Sequence, residues 1–387
     1  MKIAFDASDI LGKSGIETYT RELITALAES YPDDILVLLT DGTQKANLIK
    51  LFKTKNNVVI DDSLISPKVL GKPGRELIKR MNRRIWKRQS LYFDLIHQTN
   101  QYHVLKGITK LVATVHDLIP LYENDSNTAA SRKKYKEKIQ TLLNLAQLII
   151  TPSDFVRKEF DTYFPGNSDK LKTVYEAAGS DFNVDSTESS IFKMYDLPDG
   201  CKYFLHVGRL FERKNVLRII KGFSRLRSDL KNDTYLVLLV NGTTKEKKWL
   251  QENAGISILA ENIIVIENVS FGELVSFYKH AYAFLFPSLT EGFGLPVLEA
   301  MKCGCPVITS NISCLPEIAG DAAILVNPME TEEISQAMNL LLEDEEKRQS
   351  LIKLGYKRAA EFSWSFAAKK THECYEEALK LISKNNG

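Results

Sequence analysis

Short apolar runs recur along the whole chain, separated by amphipathic stretches of helical period, and this alternation narrows the possible folds more than any other feature. In the first half the runs fall at 3–6, 35–40, 58–60, 95–98, 110–116, 148–152 and 172–175, with helical patterns at 16–30 and 129–146 among the intervening segments. The second half repeats the scheme at 203–208, 236–240, 263–266, 283–286, 306–309 and 323–326. A strand reads as a continuous apolar run when both faces of its sheet are covered, which predicts parallel sheets. The expected fold class is therefore α/β, with two doubly wound domains; 387 residues are enough to give each its own core. The polar, serine-rich stretch Gly179–Ser190 reads as the connection between them. The expected organisation is an N-terminal domain over 1–180, a linker over 181–200 and a C-terminal domain over 201–364, with the closing helix 365–387 joining the N-terminal domain.

Bulk properties remove several classes of function. A formal net charge of +2 gives no overall attraction to nucleic acid or membrane, so any such role requires local clustering. The five cysteines are odd in number and irregularly spaced, and Cys303-Gly-Cys305 has no second pair, which points to buried thiols in a reducing compartment rather than zinc or disulfides. The chain opens directly into a strand pattern and has no apolar run of bilayer-spanning length, so the expected location is cytoplasmic.

Two segments carry chemistry. Pro287-Ser-Leu-Thr-Glu-Gly-Phe-Gly-Leu-Pro-Val-Leu-Glu299 follows the apolar run 283–286 and reads as a glycine-bearing turn into a helix with Pro296 near its start. The first amides of a helix have no intrahelical partner, so Phe293, Gly294, Leu295 and Val297 are expected to direct N–H groups at an anion. Glu291 and Glu299 bracket the turn, and an anionic ligand with several hydroxyls would use both features. Carboxylates at such a place also serve simply to complement the helix dipole. In Tyr203-Phe-Leu-His-Val-Gly-Arg-Leu-Phe-Glu-Arg-Lys-Asn215, Arg209 and Lys214 emerge just beyond a strand ending in glycine, where a diphosphate could be clamped. Arg213, between them, either joins this basic set or simply faces water.

In these two segments, and in Ala300-Met-Lys-Cys-Gly-Cys-Pro-Val307 and Gly320-Asp-Ala-Ala-Ile-Leu-Val-Asn-Pro328, the chain resembles glycosyltransferase family 4 over essentially its whole length. The resemblance implies the GT-B fold, two Rossmann-like domains with parallel sheets facing a central cleft, and retaining transfer from a nucleotide-activated sugar. It assigns Arg209 and Lys214 to the donor diphosphate, Glu291 to the transferred sugar and Glu299 to the ribose. The amides of Phe293, Gly294 and Leu295 would serve phosphate and sugar hydroxyls, and the backbone near Val269 the base. Within Lys13-Ser-Gly-Ile-Glu-Thr-Tyr19, Gly15 matches the family's phosphate-approaching loop. Glu17 replaces a second glycine, so that Glu17 and Tyr19 become acceptor-side candidates. Val115-His-Asp-Leu118 matches the family's His-Asp segment, which places His116 near the anomeric carbon; Asp117 either orients the acceptor hydroxyl or caps the turn. The catalytic set implied is His116, Arg209, Lys214 and Glu291, with no metal and no cofactor besides the donor substrate.

From Lys68 to Arg88 nine basic residues stand against one acid, Glu76, with Leu77, Ile78, Met81, Ile85 and Trp86 at helical spacing. Such a helix either lies on an anionic membrane or packs its stripe on the core with its charges solvated. The expected partners are thus a nucleoside-diphosphate sugar, a glycan or polyprenyl-linked saccharide, and an anionic membrane surface at 68–88, without nucleic acid. The activity implied is hexosyl transfer, mannosyl from GDP-mannose by preference with UDP-hexoses open, in bacterial surface-polysaccharide synthesis. An epimerase of the same fold and a non-catalytic subunit of an assembly complex are the alternatives.

Overall fold

In a computed structural model the described residues are all of 1–387 except 8–9, 13–14, 67–70, 103, 124–127, 183–190, 232, 241–247, 249–251, 254–261 and 387, with backbone only at 71–76 and 385–386. Contacts divide the chain into two compact units, one of Met1–Glu176 with Ser363–Gly387 and one of Ala177–Phe362. Residues 183–190 of the expected linker lie outside the described residues, as do Lys13 and Ser14.

Among the described residues the first unit contains seven strands: β1 (Lys2–Asp6), β2 (Ile35–Leu39), β3 (Val58–Asp61), β4 (Leu95–Gln98), β5 (Leu111–Thr114), β6 (Ala146–Thr151) and β7 (Leu171–Thr173). They form one sheet in the order β3-β2-β1-β4-β5-β6-β7, with every pairing parallel. The second unit contains β8 (Lys202–Gly208), β9 (Thr234–Val240), β10 (Ile263–Ile266), β11 (Ala283–Phe286), β12 (Val307–Ser310) and β13 (Ala323–Val326), in the parallel order β10-β9-β8-β11-β12-β13. Each apolar run of the sequence is a strand, shifted at most by a few terminal residues. The run 110–116 overshoots β5 because the His116 N–H leaves the ladder for Gln101 Oε1.

In both sheets the strand order reverses beside the first strand to arrive, between β1 and β4 and between β8 and β11. Loops leaving the carboxyl ends of two such strands diverge to opposite faces and leave a crevice. The cores on either side are dense: β4, β5 and β11 are buried along their whole length. Full burial of one large apolar side chain contributes about 1.5–3 kcal/mol.

The closing helix, Trp364–Asn386, packs within the first unit against the helix Gly15–Ser30. Tyr375 OH and His97 Nδ1 are 2.7 Å apart, His372 Nε2 lies 3.0 Å from Asp34 Oδ2, and the His372 ring stacks on Tyr31 with centroids 3.6 Å apart. Among the described residues no helix is long and apolar enough to cross a membrane.

Candidate functional site

In the second unit the two motif segments meet at the reversal of strand order. β8 ends at Gly208 and the adjacent β11 at Phe286, so the loops carrying Arg209–Lys214 and Pro287–Gly294 leave side by side. A short 3-10 turn, Glu212–Lys214, is stopped by Asn215 in the left-handed region (φ 62°), a conformation that asparagine tolerates better than most residues. The Asn215 amide donates to Pro287 O at 2.9 Å and Pro328 O at 2.6 Å, tying three loops together. This turn delivers two cations to one carboxylate. Lys214 Nζ donates to Glu291 Oε1 at 2.7 Å and Arg213 Nη1 to Glu291 Oε2 at 3.0 Å. Of the two readings of Arg213, the structure has it beside Lys214 on this carboxylate.

Burial opposes ionisation of Glu291, but the Lys214 and Arg213 charges outweigh it and hold the carboxyl below its ordinary range. Burial likewise pulls the Lys214 ammonium down, with Glu291 opposing the change. The Lys214 ammonium also sits 4.6 Å from the centre of the Phe286 ring. Arg209 emerges at the exposed rim, its guanidinium 4.4 Å from the Phe211 ring, which Arg213 approaches at 5.7 Å. Phe211 therefore orients both arginines; the motif match alone did not single it out.

The turn after Glu291 is shaped by Gly294. Its φ of 95° disfavours any side chain, and a Cβ would stand 2.8 Å from Leu315 Cδ2. The helix Leu295–Lys302 starts there with no side-chain cap, leaving its first amides for a ligand or water. The Val297 N–H is an exception to the expectation: it donates to Gly294 O at 2.9 Å and is spent inside the turn. Phe293 is buried, edge-on to Phe362. Glu299 accepts from Tyr278 OH at 3.2 Å, and burial, moderated by that bond and by Lys214, pushes its carboxyl up to about 7. Val269 follows β10 and precedes Ser270, which caps the helix Phe271–His280.

The first unit gathers the remaining candidates. His116 is buried, with Nε2 2.9 Å from Thr99 O and Nδ1 3.1 Å from Glu176 Oε1. A carbonyl only accepts, so Nε2 carries a proton, and the carboxylate favours a second proton on Nδ1. Burial would lower this imidazole's pKa; Glu176 reverses the effect and raises it. Both nitrogens therefore face protein acceptors rather than an open space. Tyr19 packs edge-on to His116, with centroids 4.7 Å apart, and its hydroxyl lies 3.0 Å from Thr114 Oγ1. Thr114 in turn meets His97 Nε2 at 2.8 Å. Asp117 caps the turn: its Oδ1 accepts from the Ile119 N–H at 3.1 Å. Glu17 lies over Gly12, where a Cβ would fall 2.7 Å from its Cδ, and with Asp6, Thr20, Thr99 and Asn100 it lines a small cavity beyond β1 and β4. Gly15 opens the helix Gly15–Ser30 with nothing within 4 Å of a would-be Cβ, so packing inside this unit does not demand glycine there.

Lys68 lies outside the described residues, as do the side chains of Lys72, Arg75 and Glu76. In the rest of the helix Gly71–Gln89 the apolar stripe splits. Ile78 and Trp86 are buried and Ile85 packs on the core, whereas Leu77 and Met81 are exposed, 54% and 39% accessible, among Lys79, Arg80, Arg83, Arg84, Lys87 and Arg88.

Comparison with known proteins agrees with this architecture. The family profile "Glycosyltransferase Family 4" matches residues 13–177 and the profile "Glycosyl transferases group 1" residues 188–358. The O-antigen chain mannosyltransferase B of Escherichia coli is 30% identical over 290 residues, 74% of this chain and 75% of that protein. The serotype-specific mannosyltransferase WbdA of Escherichia coli is 30% identical over 288 residues, 71% of this chain but only 34% of WbdA, so the chain spans about a third of that relative. HepE of Anabaena, solved in complex with UDP and glucose, shares the two-domain GT-B fold, with a TM-score of 0.72 at 18% identity across 97% of this chain and 100% of that one. The chain is a glycosyltransferase and belongs to glycosyltransferase family 4.

Proposed function

We propose that the protein moves a hexose, mannose from GDP-mannose by preference, to a hydroxyl of a glycan or polyprenyl-linked saccharide in surface-polysaccharide synthesis, with retention of anomeric configuration. The observation that carries this reading is the pair of cations on one buried carboxylate, Lys214 and Arg213 on Glu291, beside an uncapped helix start at the switch in strand order. The naming of the Escherichia coli relatives as mannosyltransferases supports mannose, and the UDP and glucose bound to HepE keep UDP-hexoses as the second donor class.

In this reading the bond between the anomeric carbon and the diphosphate breaks while the acceptor oxygen bonds to the same face of the sugar, and the acceptor proton passes to a phosphate oxygen of the leaving group. The principal demand is for stabilising charge on the departing diphosphate. Lys214, Arg209 and the amides at Gly294 and Leu295 supply it without a metal, and one preorganised donor of this kind is worth roughly 3–4 kcal/mol. Glu299 takes the ribose hydroxyls, Glu291 the transferred sugar, and the backbone at Val269 the base. In the first unit the acceptor's hydroxyls are assigned to the cavity beside Glu17, with Tyr19 and His116 as its supporting wall.

The exposed face of the helix Gly71–Gln89 is assigned to an anionic lipid surface. Burial, and then the neighbouring Lys134 and Lys79 charges, hold the Lys138 ammonium low, so the basic field continues onto the helix Ala129–Leu145. Each basic side chain close to such a surface contributes roughly 1 kcal/mol. This would hold the enzyme peripherally at the cytoplasmic leaflet, where a lipid-linked acceptor resides. Co-sedimentation with vesicles containing phosphatidylglycerol, lost in the double variant Arg83→Glu/Arg84→Glu, tests this part.

A thermal-shift comparison of GDP-mannose, UDP-glucose and the free nucleotides tests the donor, since a ligand bound only by the folded state raises the melting temperature by mass action. A rise with GDP-mannose and GDP is expected. No shift with any of the four would overturn the reading.

A further inference from the structure

The loop that carries Glu291 is laced to the exit of β12 by hydroxyl side chains. Thr309 Oγ1 donates to Phe286 O at 2.9 Å, Ser310 Oγ to Ser288 O at 2.5 Å, and Ser313 Oγ to Glu291 O at 2.9 Å. Ser313 differs from the other two, because the same oxygen also accepts from the Glu291 N–H at 3.0 Å. One hydroxyl thus holds both main-chain groups of one residue, which fixes the direction in which the Glu291 side chain leaves the backbone. The Cys314 thiol adds contacts at 3.2 Å to Glu291 O and to Phe293 O.

This arrangement is held against a conformational cost. Ser313 has φ 65°, in the left-handed region that a serine enters only when its surroundings compel it. Glycine would adopt the same turn without strain, but would leave Glu291 unclasped. Glu291 is where Lys214 and Arg213 converge, so a loosened backbone there would displace the carboxylate and both cations together.

From the double hydrogen bond and the left-handed backbone we infer that Ser313 is a positioning residue for the reaction: it sets the Glu291 carboxylate, and through it Lys214, in the geometry that transfer requires. The inference rests on the assignment of Glu291 to the transferred sugar.

The test compares Ser313→Gly with Glu291→Gln in the full chain, following release of GDP from GDP-mannose and, in parallel, UDP from UDP-glucose. Ser313→Gly relieves the strain and removes the clasp, so its melting temperature is expected to equal or exceed that of the parent. Its kcat should fall about tenfold, in keeping with the cost of small misplacements of reacting groups, with KM changed by less than about twofold. Hydrogen exchange of peptides covering 287–294 should quicken. A purely structural serine would give the opposite pair, a lower melting temperature with unchanged kcat, and that result would overturn the inference. Parental kcat or unchanged exchange in Ser313→Gly, beside an inactive Glu291→Gln, would overturn it while leaving the site assignment standing. Parental turnover in Glu291→Gln would remove the assignment itself, and the inference with it.

Discussion

The two units each bury a charged cluster at the carboxyl end of their central strands, and the clusters are built to opposite ends. In the first unit one carboxylate, Glu176, meets one imidazole, His116, whose other nitrogen is taken by Thr99 O, and the neighbouring hydroxyls of Tyr19, Thr114 and Tyr375 satisfy one another through His97. That cluster is closed. In the second unit two cations meet on one carboxylate, beside a helix start whose N-cap, Gly294, has no side chain to cap it. The first arrangement joins one imidazole to one carboxylate; the second gathers two cations on one carboxylate.

Substitutions that treat the two clusters differently would break or sharpen this contrast. The largest effect is expected from Lys214→Ala, which leaves Glu291 ionised on Arg213 alone. Sugar release from GDP-mannose should drop by about 10² or more, near 3 kcal/mol of barrier, while circular dichroism stays native. Gly294→Ala attacks the helix mouth through sterics, since it forces a side chain into a φ of 95° against Leu315. A loss of about 2–3 kcal/mol in urea unfolding is expected, together with weaker donor binding.

Glu176→Gln probes the closed cluster and should cost about 2 kcal/mol of stability with turnover within a few-fold of the parent. Its pH dependence has a definite sign. The His116 imidazole is raised above its ordinary 6.5 in the folded state, so the pair stabilises fully below that value and the contribution fades as pH rises through the folded pKa. The gap in melting temperature between parent and Glu176→Gln should therefore be wider at about pH 6 than at about pH 9. A gap independent of pH would mean the imidazole is neutral throughout. The smallest effect concerns Glu299, whose carboxyl stands at about 7. As the carboxylate forms it becomes the better acceptor for ribose hydroxyls, so donor affinity by calorimetry should rise several-fold from about pH 6 to about pH 8, and this slope should vanish in Glu299→Gln.

The thirteen strands among the described residues could be read from the amino acids because burial on both faces prints unbroken apolar runs. The turn at Gly294 was legible because it depends on neighbours close in sequence, whereas Glu291 and Lys214 could be placed beyond their strands but not paired, since 77 residues separate them. Other residues were not, for a common reason. Adjacent side chains such as Arg213 and Lys214 diverge on a regular helix or strand; only the 3-10 turn and left-handed Asn215 bring both to Glu291. Glu176 finds His116 across 60 residues, and Ser313 reveals itself through its φ, neither of which leaves a local pattern. Asp117 had two readings from its position before Leu118, and the hydrogen bond to Ile119 identifies a turn cap. The basic helix defeated a single reading because one stripe of apolar residues serves two environments, with Trp86 inside and Leu77 outside.

The return of Trp364–Asn386 to the first unit has a consequence for biosynthesis. The polypeptide crosses from one unit to the other twice, so the segment emerging in the middle of translation, Ala177–Phe362, is the contiguous one and can finish folding while still attached to the ribosome. The portion made first must wait, with the surface beside His97 and Tyr31 uncovered, until Tyr375 and His372 are released to cover it. Nascent chains arrested short of that helix should therefore engage chaperones through Met1–Glu176, not through Ala177–Phe362.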